Sequence, residues 1–444
     1  MSISRTICLG FLALIAMGTC LLMLPISTAS GTWNDPIVAF FTSTSAVCVT
    51  GLAVVDTGSY FSFWGQLFIV FLIQVGGLGY MTTTTFLILL VGRRFDLRQK
   101  FAIQESFDRP FLQGSQNLMR SILATTLVFE ITGIIILFQV FAADHEFPRS
   151  LWLAIFHSIS AWNNAGFSLF SDSLVRYRTS IPLNFIIPTL IIFGGLGYQV
   201  IMELYLWILK NMRRQKAKFV FSLNFKVVTS TTLILLVLGT IAFFFTEIHN
   251  PEIFGSLSLK DKFIAAWFQS VTTRTAGFNT IDIGKLSTAG LFITIGFMFI
   301  GASPSGTGGG TKTTTIRILS SCTRSILQGK EEVIIYQREV PLSLILKAIG
   351  VLVGSGVAIV AGTIFLSITD ANFDFISLLF EVVSAFATVG LSTGITASIS
   401  ELGKLLLIAM MYMGRVGILL FMSAILGDAR PSVVKYPEET LLVG

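Results

Sequence analysis

Apolar residues in this chain do not alternate or fall into narrow stripes. They run in long stretches parted by charged or small polar segments. Eight stretches, at roughly 7–26, 64–91, 119–142, 182–209, 225–246, 287–311, 342–369 and 403–426, reach the about 20 residues a helix needs to cross the hydrocarbon. Within each successive pair lies a shorter apolar segment, at about 36–48, 150–163, 261–274 and 374–387. Each shorter segment is roughly 13 residues, too short to span, and runs straight into a turn of small residues. The predicted element there is a short helix that enters the membrane and returns.

The order span, short helix, turn, span occurs four times, and the turns can be stacked. They read Cys48-Val49-Thr50-Gly51-Leu52, Asn163-Asn164-Ala165-Gly166-Phe167, Arg274-Thr275-Ala276-Gly277-Phe278 and Ala387-Thr388-Val389-Gly390-Leu391. Hydroxyl-rich residues precede them, as in Ser43-Thr44-Ser45 and Ser270-Val271-Thr272. In the spans that follow, Gly76-Gly77-Leu78-Gly79-Tyr80 matches Gly194-Gly195-Leu196-Gly197-Tyr198, and Gly301 and Gly414 stand at equivalent places. One such tripeptide means nothing; four at one spacing, each after a helix too short to span, are a strong repeat signal. The expected architecture is an all-α integral membrane protein of four tandem span–pore helix–span units around one pore. It has eight transmembrane and four re-entrant helices, divided at 1–91, 92–209, 210–325 (with an intramembrane loop) and 326–444.

Composition agrees. Of 444 residues 53% are hydrophobic and 12% charged, about half the charged share of a soluble domain. Disorder, coiled coil and secreted disulfide scaffold are excluded. Cys8, Cys20, Cys48 and Cys322 have no metal-ligand spacing. Arg5, an apolar run and Thr28-Ala29-Ser30 imitate a signal peptide, but the run is uncharged from Thr6 to Asn34, which suits a first span better.

The net charge of +6 reports topology rather than nucleic-acid binding. Loops 92–117, 210–226 and 312–340 carry five, six and five Lys and Arg, and Arg5, Arg430 and Lys435 join them. The opposite side is expected to hold Arg149, Arg176, Arg178, Lys260, Lys262, Arg274, Lys285 and Lys404. The positive-inside rule then puts both termini in the cytoplasm and makes the short helices enter from outside.

Four such units around an axis make a pore lined by their turns. A short helix whose C-terminus faces the centre presents its negative end to a cation. Rings of backbone carbonyls can replace the hydration shell of a monovalent ion, and glycine allows the positive φ such a turn needs. The candidate ion ligands are therefore the backbone carbonyls of Val49, Thr50, Gly51, Asn164, Ala165, Gly166, Thr275, Ala276, Gly277, Thr388, Val389 and Gly390. No carboxylate occupies a turn, which argues against a divalent site.

These turns resemble degraded potassium-channel filters, and four linked span–pore–span units resemble the Trk/Ktr/HKT superfamily of potassium transporters. The length is most like the membrane subunit of a bacterial Ktr system. The resemblance covers nearly the whole chain. It implies potassium uptake across the plasma (inner) membrane, stimulation by sodium, and a homodimer with one pore per subunit. It also implies a cytosolic ring of nucleotide-binding regulatory (RCK) subunits, so that any nucleotide sits on the partner. Glycine in all four turns matches the potassium-selective pattern; plant relatives with Ser in the first turn conduct sodium, and a sodium-permeable transporter of the same fold is the alternative.

Two further features are similar to the family's gate. The sixth stretch breaks at Gly301-Ala302-Ser303-Pro304-Ser305-Gly306-Thr307-Gly308-Gly309-Gly310, just before Lys312, and such a segment cannot hold a regular helix. The resemblance implies an intramembrane loop that blocks the pore below the filter. The last stretch carries Arg415 amid uncharged residues, a functional candidate by position. The resemblance implies a basic residue facing the cavity beside that loop. An ordinary cytoplasmic loop beginning early, and a structural ion pair, are the bland alternatives.

Other features read more plainly. The Gly76-Gly77-Leu78-Gly79 run and its copy suit close helix packing. Glu130 and Glu203 suit ion pairs with Arg or Lys. Lys347 snorkels, His157 packs, and Trp33, Trp64, Trp152, Trp162 and Trp267 suit an outer interfacial belt. Enzymatic readings fail. Gly301-Ala302-Ser303 is similar to the nucleophile motif of rhomboid-type proteases, but His145, His157 and His249 all fall on outer segments, away from Ser303. In Gly306–Thr313, Thr311 separates Gly310 from Lys312 and no strand precedes, so it is no phosphate loop. Four units of one orientation also argue against an inverted-repeat carrier.

Overall fold

The computed structural model of the chain describes residues 3–79, 115–214, 219–255 and 257–427. The second half of the 64–91 stretch, most of the 92–117 loop, Lys216, Lys218, Arg430 and Lys435 lie outside the described residues. The molecule is predominantly helical. Its main helices are α1 (Ile3–Met23), α2 (Pro36–Val47), α3 (Phe63–Leu78), α4 (Ser115–Phe141), α5 (Phe147–Trp162), α6 (Ile181–Leu196), α7 (Tyr198–Met212) and α8 (Leu223–Glu247). They are followed by α9 (Leu259–Thr272), α10 (Thr288–Phe299), α11 (Thr313–Leu327), α12 (Leu342–Thr369), α13 (Phe375–Phe386), α14 (Glu401–Val416) and α15 (Ile418–Leu426). A two-stranded hairpin, β1 (Ile334–Ile335) and β2 (Arg338–Glu339), precedes α12.

The four shorter apolar segments are the short helices α2, α5, α9 and α13. They form the centre: Phe41, Phe156, Phe268 and Phe380, one on each, are fully buried. Among the described helices α1, α4, α8 and α12 are long and apolar enough to cross a membrane. These turn apolar side chains outward, as Leu346, Val353, Val357 and Val360 do along α12.

Local chemistry sets the helix starts. Ser62, Ser287 and Ser400 each accept the amide of a glycine three residues on, Gly65, Gly290 and Gly403, and so cap α3, α10 and α14. Two of these caps are gripped from below by buried carboxylates at the ends of preceding long helices. Glu247 accepts the Ser287 hydroxyl and amide, and Asp370 accepts those of Ser400. An acid at a helix N-terminus satisfies free amides and the positive end of the dipole.

The stretches at 182–209 and 403–426 are not straight spans. Each bends at one glycine, by 103° between α6 and α7 and by 99° between α14 and α15. Gly197 (φ 87°, ψ 144°) and Gly417 (φ 90°, ψ 135°) leave helical geometry there, and Gly79 ends α3 with nearly the same dihedrals (82°, 139°). A conformation open mainly to glycine thus breaks two helices and ends a third at one relative place. Counting each bent pair as one gives up to six spans among the described residues, against the eight expected. The 287–311 stretch breaks where expected: α10 stops at Phe299 and irregular backbone follows to Lys312.

Candidate functional site

Each short helix runs into its turn with the same backbone. Val49, Asn164, Thr275 and Thr388 have φ of 51°, 55°, 63° and 52°, and Gly51, Gly166, Gly277 and Gly390 have φ of 91°, 69°, 75° and 89°. The residue between them stays on the ordinary side. Alternating hand along three residues turns successive carbonyls the same way.

The four turns close a ring in chain order. A β-carbon at Gly51 would lie 2.5 Å from the Ala165 carbonyl oxygen, one at Gly166 2.7 Å from that of Ala276, and one at Gly277 2.5 Å from that of Val389. One at Gly390 would strike the Thr50 carbonyl oxygen and complete the circle. Only glycine leaves room for such an approach.

Hydroxyls behind the ring hold the turns. Ser160, Thr272 and Ser384 donate to the carbonyls of Phe167, Phe278 and Leu391 at 2.9, 2.7 and 2.6 Å. Ser45 and Ser384 accept the Gly51 and Gly390 amides, both at 3.1 Å. The central amides bond back to their own short helix, Thr50 to Ser45, Ala165 to Ser160, Ala276 to Thr272 and Val389 to Ser384. By contrast, none of the twelve carbonyl oxygens of 49–51, 164–166, 275–277 and 388–390 accepts a hydrogen bond among the described residues. Ten of the twelve residues are buried and Gly51 and Gly390 are half-buried.

On one side of the ring Gly51, Gly166 and Gly390 open into a cavity of about 640 Å³, rimmed also by Asp56, Asp172 and Asp282. That rim is acidic, although Asp172 and Asp282 sit 3.9 Å from Arg176 and Lys285. On the other side lies the segment from Ile300 to Lys312. Its neck is closed by a parallel bridge between Ile300 and Thr311 and by the Gly301 amide on the Thr311 carbonyl at 2.8 Å. Its body rests on the first residues of the turns. Gly308 packs against the Thr275 hydroxyl, the Gly309 amide donates to the Thr388 hydroxyl at 3.0 Å, and the Thr307 hydroxyl meets Asn164 Oδ1 at 3.3 Å. The amides of Ser303 and Thr307 take the Gly195 and Gly194 carbonyls, and Ser305 accepts the Tyr198 amide. Pro304 lies against the break at Gly197. Ser303, Thr307, Gly308 and Gly309 are buried within the protein rather than exposed as in an ordinary surface loop.

Lys312 and Arg415 border a second cavity of about 280 Å³ with Thr307, Gly308, Gly77 and Gly194. Lys312 Nζ holds the Gly308 carbonyl at 2.8 Å. Arg415 donates to the carbonyls of Thr307 and Gly76, and to that of Gly77 at 3.3 Å. It has no carboxylate partner among the described residues, so the ion-pair alternative gives way to carbonyl binding.

Several expectations change. Arg274 is no outer-loop residue: it is buried at the third turn, with Nη2 on the Gly301 carbonyl. Glu203 accepts the Ser222 amide and hydroxyl and caps α8, and Glu130 accepts from Asn163, so neither is ion-paired among the described residues. Trp162 is buried beneath the second turn and stacks on Phe129, whereas Trp33 and Trp64 are exposed. His157 packs as expected, with Leu153 and Ser168 on its two nitrogens. Gly76, Gly194 and Gly414 lie against the Val47, Trp162 and Phe386 carbonyls at the ends of short helices, but Gly301 meets Gly309 instead. The third unit uses that position for the loop neck rather than for helix packing. Missed in the sequence were the end of α3 at Gly79, the breaks at Gly197 and Gly417, and the acidic rim.

Comparisons with known proteins bear on this geometry. Residues 6–426 match the family model TrkH, described as cation transport protein. The chain is 38% identical over 442 residues to Ktr system potassium uptake protein B of Vibrio alginolyticus, covering 99% of this chain and 94% of that one. It is 36% identical to the protein of the same name from Bacillus subtilis, covering 99% and 96%. It is 35% identical to potassium/sodium uptake protein NtpJ of Enterococcus hirae, covering 99% and 97%. The crystal structure of the potassium transporter TrkH from Vibrio parahaemolyticus superposes with a TM-score of 0.71 at 18% identity, over 94% of this chain and 84% of that one. The match spans all four turns, the loop and Arg415, and the chain belongs to the TrkH family of cation transport proteins, transporters rather than enzymes.

Proposed function

We propose that this protein takes up potassium through the ring. One observation carries the reading: twelve carbonyl oxygens at or beside a closed ring, without hydrogen-bond partners among the described residues. Backbone carbonyls in a protein interior need partners, and a dehydrated monovalent cation is a partner for many at once. The negative ends of four short helices add to the field. Potassium as the cargo is supported by the names of the relatives from Vibrio alginolyticus and Bacillus subtilis. Val49, Thr50, Gly51, Asn164, Ala165, Gly166, Thr275, Ala276, Gly277, Thr388, Val389 and Gly390 are the filter in this reading.

The four units divide at 1–91, 92–209, 210–325 and 326–444 and form eight spans, two of them broken at Gly197 and Gly417. The segment 301–310 with Lys312 and Arg415 is the gate, closed when it rests on Thr275 and Thr388. The functional unit is a homodimer in the plasma membrane with cytoplasmic termini. A cytosolic ring of RCK-type subunits, which alone binds nucleotide, acts on α11, the helix that begins where the loop ends. In support, α11 and the hairpin frame a cleft of about 400 Å³ whose border, Arg317, Arg324 and Lys330 against the single acid Glu332, is net basic and suited to an acidic surface.

A reading with sodium as substrate or stimulator is favoured by the Enterococcus hirae relative, whose name couples the two ions. Potassium and sodium flux into proteoliposomes, measured in the same preparation, decides between them. Selective potassium flux is expected; equal permeability would make this a sodium-permeable transporter, and absence of both from folded protein would overturn the function.

A further inference from the structure

Arg274 is the residue before Thr275, the first ring residue of the third turn. It is 8% exposed and has no carboxylate partner among the described residues. Among the described residues its Nε has no hydrogen-bond partner, and its side chain bonds from Nη2 to the Gly301 carbonyl at 3.3 Å. Gly301 is the neck of the intramembrane loop, where its amide bonds to Thr311. The Arg274 carbonyl meanwhile accepts Asn164 Nδ2 at 3.4 Å, and the same Nδ2 lies 3.3 Å from the Thr275 hydroxyl. One residue therefore touches two adjacent turns through its backbone and the loop neck through its side chain.

The surroundings leave it little choice. Ile191, Leu236, Val271 and Ala302 line the space beside the guanidinium, with Thr232 the one hydroxyl there, and the cavity measures about 10 Å³. A charged group in such a place is held by the acceptors it has. Displacing the neck removes the Gly301 carbonyl, and the guanidinium must then move. The movement passes through one peptide unit to Thr275.

Resting on the loop being the gate, we propose that Arg274 is a positioning residue that couples the third turn of the ring to the neck of the loop, so that gate position and ion affinity are linked. Such linkage is reciprocal: if an open loop changes affinity in the ring by some factor, ion occupancy biases the loop by the same factor. Arg415 grips the loop body separately, through the Thr307 carbonyl.

The test is a double-mutant cycle in membranes of potassium-uptake-deficient cells. Maximal rate and half-saturating potassium concentration are measured for wild type, Arg274→Met, Arg274→Gln and Arg274→Lys. Each is made with the full loop and with a loop shortened within 304–309. Detergent-extracted protein is checked for intact folding. With the full loop, Arg274→Met and Arg274→Gln are expected to shift half-saturation and raise the maximal rate at least about fivefold, the low end of ordinary site coupling. Arg274→Lys, which keeps a donor and the charge, is expected to recover most of the wild-type behaviour. With the shortened loop, all three substitutions are expected to alter the kinetics less than about twofold, since the neck contact no longer reports a closed gate. Equal effects in both loop backgrounds would reduce Arg274 to support of its turn and overturn the coupling. A shortened loop that leaves flux unchanged would overturn the gate itself. If Arg274→Met fails to fold, the Gln and Lys variants carry the same comparison.

Discussion

The Arg415 guanidinium donates to the Thr307 carbonyl oxygen, a contact across 108 residues of sequence that ties α14 to the body of the 301–310 loop. The same side chain reaches the Gly76 and Gly77 carbonyls near the end of α3. A charged donor on a carbonyl is worth about 1.5–3 kcal/mol. Arg415 therefore fastens the loop beneath the ring while placing a fixed positive charge beside the cavity below it.

Both effects hinder a cation, so their removal has one sign. Arg415→Gln and Arg415→Ala are expected to raise maximal potassium uptake several-fold and leave the preference for potassium over sodium nearly unchanged, because Arg415 does not touch the ring carbonyls. Uptake kinetics in a deficient strain measure this. Unchanged or lower uptake by folded, inserted protein would leave Arg415 a structural residue only.

The ring glycines are expected to tolerate nothing larger, and not equally. All four have positive φ, so any side chain strains the backbone. The space differs. A β-carbon at Gly390 meets the Thr50 carbonyl most closely, those at Gly51 and Gly277 stand 2.5 Å from the next carbonyl, and that at Gly166 stands 2.7 Å away. Gly→Ser variants should lose potassium affinity in that order, Gly390 worst and Gly166 least. Sodium discrimination should fall in parallel. Growth at limiting potassium reads the order; wild-type affinity in all four variants would refute the ring as the selective element.

Much of this was legible because it repeats. Gly51, Gly166, Gly277 and Gly390 recur at nearly equal intervals, each after a short apolar helix, and the structure closes them into one ring. The loop was legible because Pro304 and clustered glycines cannot continue α10. The breaks at Gly197 and Gly417 were not, since an isolated glycine in an apolar run is usually helical and only its dihedrals betray a bend. Arg274 misled because position between outer segments says nothing about side-chain direction: its chain turns inward to Gly301. Glu130 and Glu203 misled because hydroxyls and amides, spread along the sequence, can satisfy a carboxylate as well as a cation can.

The hydroxyls behind the ring give a test of selectivity without steric insult. Ser384 donates to the Leu391 carbonyl at 2.6 Å and accepts the Gly390 amide at 3.1 Å. Ser384→Ala leaves the buried Leu391 carbonyl unsatisfied, at about 1–3 kcal/mol, and frees the half-buried Gly390 amide. The fourth turn should loosen while the helix bundle stays folded. The expected result is weaker discrimination between potassium and sodium with a melting temperature only slightly lowered. Selectivity equal to wild type would mean that the ring holds its shape without these bonds.

The last expectation concerns the loop and its control. Residues 303–309 rest on Thr275 and Thr388 through Gly308 and Gly309, and their only covalent route toward the basic cleft is through Lys312 into α11. A pull on α11 would draw first on the Lys312–Gly308 bond and the Ile300–Thr311 neck. A partner with an acidic face at Arg317, Arg324 and Lys330 needs to supply only a few kcal/mol of difference between the two loop positions to move most of the population. Charge reversal at those three residues should therefore abolish the partner's stimulation and leave partner-free flux as in wild type. Shortening the loop within 304–309 should do the opposite, raising partner-free flux to the stimulated level and leaving the partner little to add. Flux into proteoliposomes with and without the regulatory subunit, for wild type and both variants, measures the two effects. If stimulation survives charge reversal in full, the partner acts elsewhere; if shortening lowers flux, the loop supports the pore rather than closing it.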